Sequence, residues 1–153
     1  MPLFRFRLQI VLEHRERIER DKQSILAVKQ RDLQVAQERL DGLNDDYVRT
    51  GEELRVKHAQ LDTNELYNYY SYLDYVLRGI RSSEERVAAC RAEVEFAQRV
   101  LAEARKQKKI LEVLKERRRE AFDAEMFAVE QRDLDDLNAR RYGRAHSRFG
   151  GTP

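Results

Sequence analysis

Five of the chain's seven tyrosines, Tyr67, Tyr69, Tyr70, Tyr72 and Tyr75, fall in one stretch, NELYNYYSYLDYV at residues 64–76. A tyrosine offers a broad apolar ring with a polar tip, which is the chemistry of a contact surface. A second concentration is basic: RKQKKILEVLKERRRE at residues 105–120. Groups suited to catalysis or metal binding are sparse by comparison. His14, His58 and His146 sit on different segments and Cys90 stands alone, so the sequence assembles no ligand set for a metal. It contains no Gly-rich phosphate loop, no nucleophile elbow and no paired carboxylates over a cleft. A non-enzymatic protein without a cofactor is expected.

Composition narrows the class further. Charged residues make up 38 % of the 153, Trp is absent, and the two prolines are Pro2 and Pro153. Abundant Glu, Arg, Leu, Ala and Gln without internal proline is the composition of long helices or a coiled coil. The single cysteine allows no internal disulfide and fits a reducing compartment. Arg5 and Arg7 interrupt the N-terminal apolar run, making it a poor secretory signal. No window approaches the roughly 20 apolar residues that cross a bilayer. The expectation is a soluble, cytoplasmic protein with no direct membrane insertion.

The basic segments invite a nucleic-acid reading, which the order of the chain disfavours. A basic leucine zipper carries its basic region immediately before the leucine heptads, and here the order differs. VAACR at residues 87–91 echoes such a region only faintly, among Glu84, Glu85, Glu93 and Glu95. Membrane-surface binding is also disfavoured, because Glu interrupts both basic stretches and the apolar face is needed elsewhere. No nucleic-acid partner is expected.

The elements that must position these residues are two helical arms. Leu8, Val11, Ile18 and Ile25 lead into Leu26, Leu33, Ala36, Leu40, Leu43, Tyr47, Leu54 and Leu61 at helical spacing, with a stutter between Ile18 and Leu26. On the second arm Leu66, Leu73, Ile80, Val87, Val94 and Leu101 recur every seven residues. Tyr69, Val76, Ser83, Cys90, Ala97 and Ala104 fill the alternate seam position. Beyond them the seam turns polar at Lys108, Lys115 and Arg118, and the apolar track moves to Leu111, Leu114 and Ala121. Asp62 and Glu65 have capping-box spacing and mark the connection.

These features predict an all-α fold: a long antiparallel two-helix coiled coil, or helical hairpin, with an overhanging second helix. Arm one covers about residues 3–60, the turn about 61–63 and arm two about 64–142, forming one domain over 1–142 with a disordered tail at 143–153. Folding there lays residues 105–119, with eight basic and two acidic side chains, beside residues 6–20. The acidic 32–66 segment and the tyrosines take the other end. At 100° per residue Tyr69 shares the seam, Tyr70 and Tyr72 flank it, and Tyr67 and Tyr75 point largely away. A two-helix seam has no room for all five rings, so a partner surface is the favoured reading over self-association or plain packing.

FRFRLQIVLEHRE at residues 4–16, NYYSYLDYVLRGI at 68–80 and KKILEVLKERRRE at 108–120 resemble, in order and spacing, the flagellar export protein FliJ family. The resemblance spans residues 2 to about 141; injectisome stalk proteins share the architecture. It implies a component of the flagellar type III export apparatus, looking like the central stalk of rotary ATPases. Implied partners are the hexameric export ATPase, the cytoplasmic domain of the export gate FlhA, and export chaperones. The implied location is cytoplasmic, peripheral at the inner face of the cell membrane through the apparatus. Carried over by position, the gate-contacting surface falls at Leu43, Tyr72, Val76 and Gly79, to which the cluster adds Tyr67 and Tyr75. Two first-arm positions where the resemblance implies aromatics are Asp46 and Thr50, beside Tyr47. Candidate contacts to the ATPase ring are Arg5, Arg7, Arg15, Arg17, Lys108, Lys109, Arg117, Arg118 and Arg119. The alternatives are a chaperone-like adaptor or holdase, an injectisome stalk, and a structural coiled coil that dimerises through the tyrosines.

Overall fold

A computed structural model describes residues 2–149. Two long helices account for most of them: α1, Gln9–Lys57, and α2, Thr63–Phe149, joined by a single 3-10 turn at His58–Gln60, by the extended Leu61 and by Asp62. The connection is held by the reciprocal cap that the spacing predicts. The Glu65 amide donates to Asp62 Oδ1 at 2.8 Å, and the Asp62 amide donates to Glu65 Oε2 at 3.1 Å. Two of the amide groups exposed at the start of α2 are thereby satisfied. Among the described residues, no helix is long and apolar enough to cross a membrane.

The described residues pack as two units, each a pairing of α1-side and α2-side segments. The larger, residues 15–106, is an antiparallel hairpin coiled coil. Leu43 lies beside Gly79, Ala36 packs on Val87 and Cys90, and Lys29 Nζ pairs with Glu93 Oε2 at 3.1 Å. Arg105 Nε reaches Glu19 Oε1 at 3.4 Å. Partners thus run forward on one helix and backward on the other. Over residues 80–104 every second seam position of α2 is small: Ser83, Cys90, Ala97 and Ala104 are all buried, alternating with the buried Ile80, Val87, Val94 and Leu101. Small residues let the backbones approach, and the larger ones fill the gaps beside them. Cys90 is 1 % exposed and a free thiol, the small seam residue its spacing predicts.

On α1 the buried line differs from the one that apolar spacing predicts. Glu19 is only 9 % exposed, whereas Ile25 is 45 % exposed. The seam runs Glu19, Leu26, Leu33 and Leu40 in unbroken sevens, so no stutter occurs between Ile18 and Leu26. A charge can occupy that line because Arg105 pairs with it and Gln23 Nε2 donates to it at 3.5 Å. Further along, Thr50 is buried and Tyr47 is exposed, reversing their expected places. Heptad spacing from Ala36 and Leu43 lands on Thr50. Near this end Glu52 accepts two hydrogen bonds from Arg55, at 2.9 and 3.2 Å, which with the Arg55 charge hold its carboxyl below the ordinary range. Both groups face water, so the pair contributes little to stability.

The smaller unit comprises residues 2–14 and 107–149. Arm one does not begin at residue 3: residues 2–6 are irregular and α1 starts only at Gln9, whose amide donates to the Phe6 carbonyl at 3.1 Å. Phe4 and Phe6 are two residues apart and both half-buried, a spacing suited to extended chain. The Phe4 ring rests on Phe122 with centroids 5.7 Å apart. Lys115 Nζ donates to Gln9 Oε1 at 2.9 Å, and Leu12 is buried while Val11 is exposed. On α2 the partly buried track includes Lys108, Leu111, Leu114, Lys115, Phe122 and Met126, while Ala121 is exposed. From residue 127 to 148 every side chain is exposed, the overhang expected of the second helix. That helix continues through residues 143–149, where the composition predicts a disordered tail. Gly143 keeps helical backbone there, and His146 and Arg148 suit the negative end of the helix dipole. Residues 150–153 of that expected tail lie outside the described residues.

Replacing Asp62 with alanine removes an N-cap acceptor. Unfolding by urea, followed by circular dichroism, is expected to show a loss of about 1 kcal/mol. A change below a few tenths would show that the cap does not hold the connection.

Candidate functional site

Two surfaces stand out, one in each unit. In the 15–106 hairpin, the first turns of α2 carry the tyrosines. The helix begins at Thr63, so the cap at Asp62 fixes the rotation at which the rings emerge. Tyr67 is 71 % exposed and Tyr75 67 %; Tyr70 and Tyr72 are also exposed, and Tyr69 is half-buried in the seam. Helical geometry groups Tyr67 with Tyr70 on one flank and Tyr72 with Tyr75 on the other. On the outward side of the helix the exposed Asp74 and Arg78 form an ion pair at 3.3 Å. The surface is therefore aromatic, almost neutral and solvated.

The other residues assigned to the same surface occupy a different layer. Val76 is 1 % exposed, wholly inside the seam. Leu43 is half-buried, and its Cδ1 lies 3.5 Å from where a Cβ on Gly79 would stand. Leu43 and Gly79 are thus each other's neighbours across the hairpin. Thr50 is buried and Asp46 half-buried, with Asp46 ion-paired to Arg49. These residues carry the tyrosines from beneath.

In the smaller unit the basic residues separate onto two faces. Lys109 and Arg117 line one face of α2 with Glu112, Glu116 and Glu120, which offset their charge. Lys108 is half-buried and pairs with Glu112 at 3.8 Å. Arg118 and Arg119 lie instead against the N-terminal segment with Arg5. Arg5, Arg7, Arg118 and Arg119 are exposed, and none forms an ion pair within the described residues. Arg15, half-buried, and Arg17, exposed, belong to the 15–106 hairpin. The structure thus brings Arg5, Arg7 and Arg118 to one hollow beside the N-terminal segment and Arg119, with Arg5, to a second, and does not gather all nine candidates there.

The first hollow is the feature apolar periodicity misses. It is an open groove of about 800 Å³ between the N-terminal segment and α2, lined by Phe4, Phe6, Leu114 and Phe122. The alternation in FRFR was its only sequence signal. His14, His58 and Cys90 remain on separate segments, and among the described residues no group of His, Cys, Asp and Glu converges as for a metal.

The layering has a measurable consequence. Tyr75→Ala is expected to change stability by less than about 0.5 kcal/mol. Val76→Ala, one residue on, should cost on the order of 2 kcal/mol. Equal losses in thermal or urea unfolding would contradict the exposed placement of the ring.

Residues 4–147 match the family described as Flagellar FliJ protein. Among solved structures, a protein described as a YscO homologue, CT670 of Chlamydia trachomatis, is similar with a TM-score of 0.54 and 20 % sequence identity, over 96 % of this chain and 99 % of that one. That likeness is one of fold. Among curated proteins, none matches the sequence.

Proposed function

This chain belongs to the flagellar FliJ protein family, and from that membership we propose that it is a non-catalytic stalk and coupling component of the flagellar type III export apparatus. Its basic end docks in the hexameric export ATPase, and its tyrosine surface binds the cytoplasmic domain of the export gate FlhA. Peripheral placement at the inner face of the cell membrane follows from those partners. The observation that best supports the docking end is the group of arginines Arg5, Arg7, Arg118 and Arg119, which form no ion pair among the described residues, in one small unit. Exposed cations held on a helix and a pinned segment steer toward an acidic ring mouth, with a rate that falls as salt rises. Lys109 and Arg117, among three glutamates, contribute less. On the gate side, Tyr67, Tyr72 and Tyr75 supply the contact, while Val76, Gly79 and Leu43 fix the helix spacing below them.

Pull-down of the purified chain with its own export ATPase, at low and moderate salt, tests this together with ATP hydrolysis. Binding should be salt-sensitive and hydrolysis raised. Alanine at Arg117, Arg118 and Arg119 together should weaken stimulation on the order of tenfold at low salt. Alanine at Arg118 and Arg119 should weaken stimulation more than alanine at Lys109 and Arg117. Unchanged stimulation by the triple variant would remove the docking assignment.

The gate contact is tested separately. Alanine at Tyr67, Tyr72 and Tyr75 should reduce binding to the purified FlhA cytoplasmic domain, again on the order of tenfold, with helicity retained. Full binding by that variant would leave the tyrosines without this role.

A further inference from the structure

We propose that the hollow beside the N-terminal segment is a docking slot for an acidic peptide segment anchored by bulky apolar side chains. Its origin lies in the departure of residues 2–6 from helix. A second helix, about 10 Å across, would cover the apolar side of α2 here. An extended segment is thinner. Phe4 sits on Phe122, and open space remains to either side, about 800 Å³ on one and about 760 Å³ on the other. The larger hollow has Phe6, Leu114 and Ala121 in its wall, and Leu3, 82 % exposed, belongs to its lining. Such a wall offers burial to a leucine or aromatic side chain.

The rim determines what accompanies that anchor. Arg5, Arg7 and Arg118 line the larger hollow with Glu125 as the one acid. Lys115 and Arg119 line the smaller with Asp123. A neutral apolar peptide would leave the arginines without anionic partners, and an acidic peptide without an anchor would leave the floor in water. An acidic segment with bulky apolar side chains satisfies both. A membrane surface fits poorly, because it needs a continuous convex apolar face and this one is concave.

The inference deepens the ATPase reading, resting on it for the identity of the docking end but not for the chemistry of the slot. The test therefore uses no ATPase, so failure of peptide binding and failure of stimulation are separate results. The probe is a fluorescein-labelled peptide, Glu-Asp-Leu-Phe-Asp-Glu, titrated with the full chain and read by fluorescence anisotropy. Saturable binding is expected. It should weaken roughly tenfold or more when serine replaces the peptide's Leu and Phe, and comparably when amides replace its acids. Ala121→Trp, at an exposed position, fills the slot and should weaken binding by a similar factor with helicity unchanged. Leu3→Glu, at the exposed N-terminal segment, should do the same by adding an acid among the arginines. Absence of saturable binding overturns the proposal. Equal affinity for the serine peptide would reduce the site to general charge attraction and overturn it as well. So would full-strength binding by both folded variants.

Discussion

A two-helix seam can bury only one face of each helix, and that limit shapes the rest of this molecule. In the 15–106 hairpin the buried line of α2 alternates Ile80, Val87, Val94 and Leu101 with Ser83, Cys90, Ala97 and Ala104. The small members allow the two backbones to approach. Dispersion and apolar burial then accumulate along a narrow strip, each contact adding a modest amount. The surface is therefore free to carry residues chosen for other purposes, and it carries tyrosines and arginines.

The same limit makes polar residues on the strip informative. Glu19 lies nine-tenths buried and depends on Arg105 and Gln23 to offset its lost hydration. An apolar residue could pack there, so the pair bears on alignment of the arms more than on gross stability. A charge matched to one position on the opposite helix penalises a slip of register. Lys29 with Glu93 adds a second cross-arm match, weaker because both groups are exposed to water.

Where helix pairing ends, the N-terminal segment takes over by a different geometry. Phe4 and Phe6 follow a two-residue period and contribute rings to α2 without forming a helix. The result is concave, whereas a coiled-coil flank is convex. Concavity and arginines without an ion pair among the described residues together distinguish this surface from the tyrosine face, which is convex in helical geometry and nearly neutral. The two surfaces are therefore different in kind: a concave cationic slot at one, a convex aromatic face at the other.

Much of this was legible in the residues alone. Sevenfold spacing on α2, the Asp62 and Glu65 cap, the seam role of Cys90 and the outward tilt of Tyr67 and Tyr75 follow from local periodicity, which a helix obeys without help from distant chain. Other features depend on which residue faces which across the pair. Glu19 occupies a seam position because Arg105 comes from far along the chain to meet it. Thr50 is buried because the register set by Ala36 and Leu43 continues through it. Phe4 leaves the helical pattern to reach Phe122, and the hollow exists only as a consequence of that contact. Apolar periodicity scores each residue by its own transfer energy. Burial of a charge, or abandonment of a helix for one ring contact, is decided by a partner, and only tertiary structure supplies the partner.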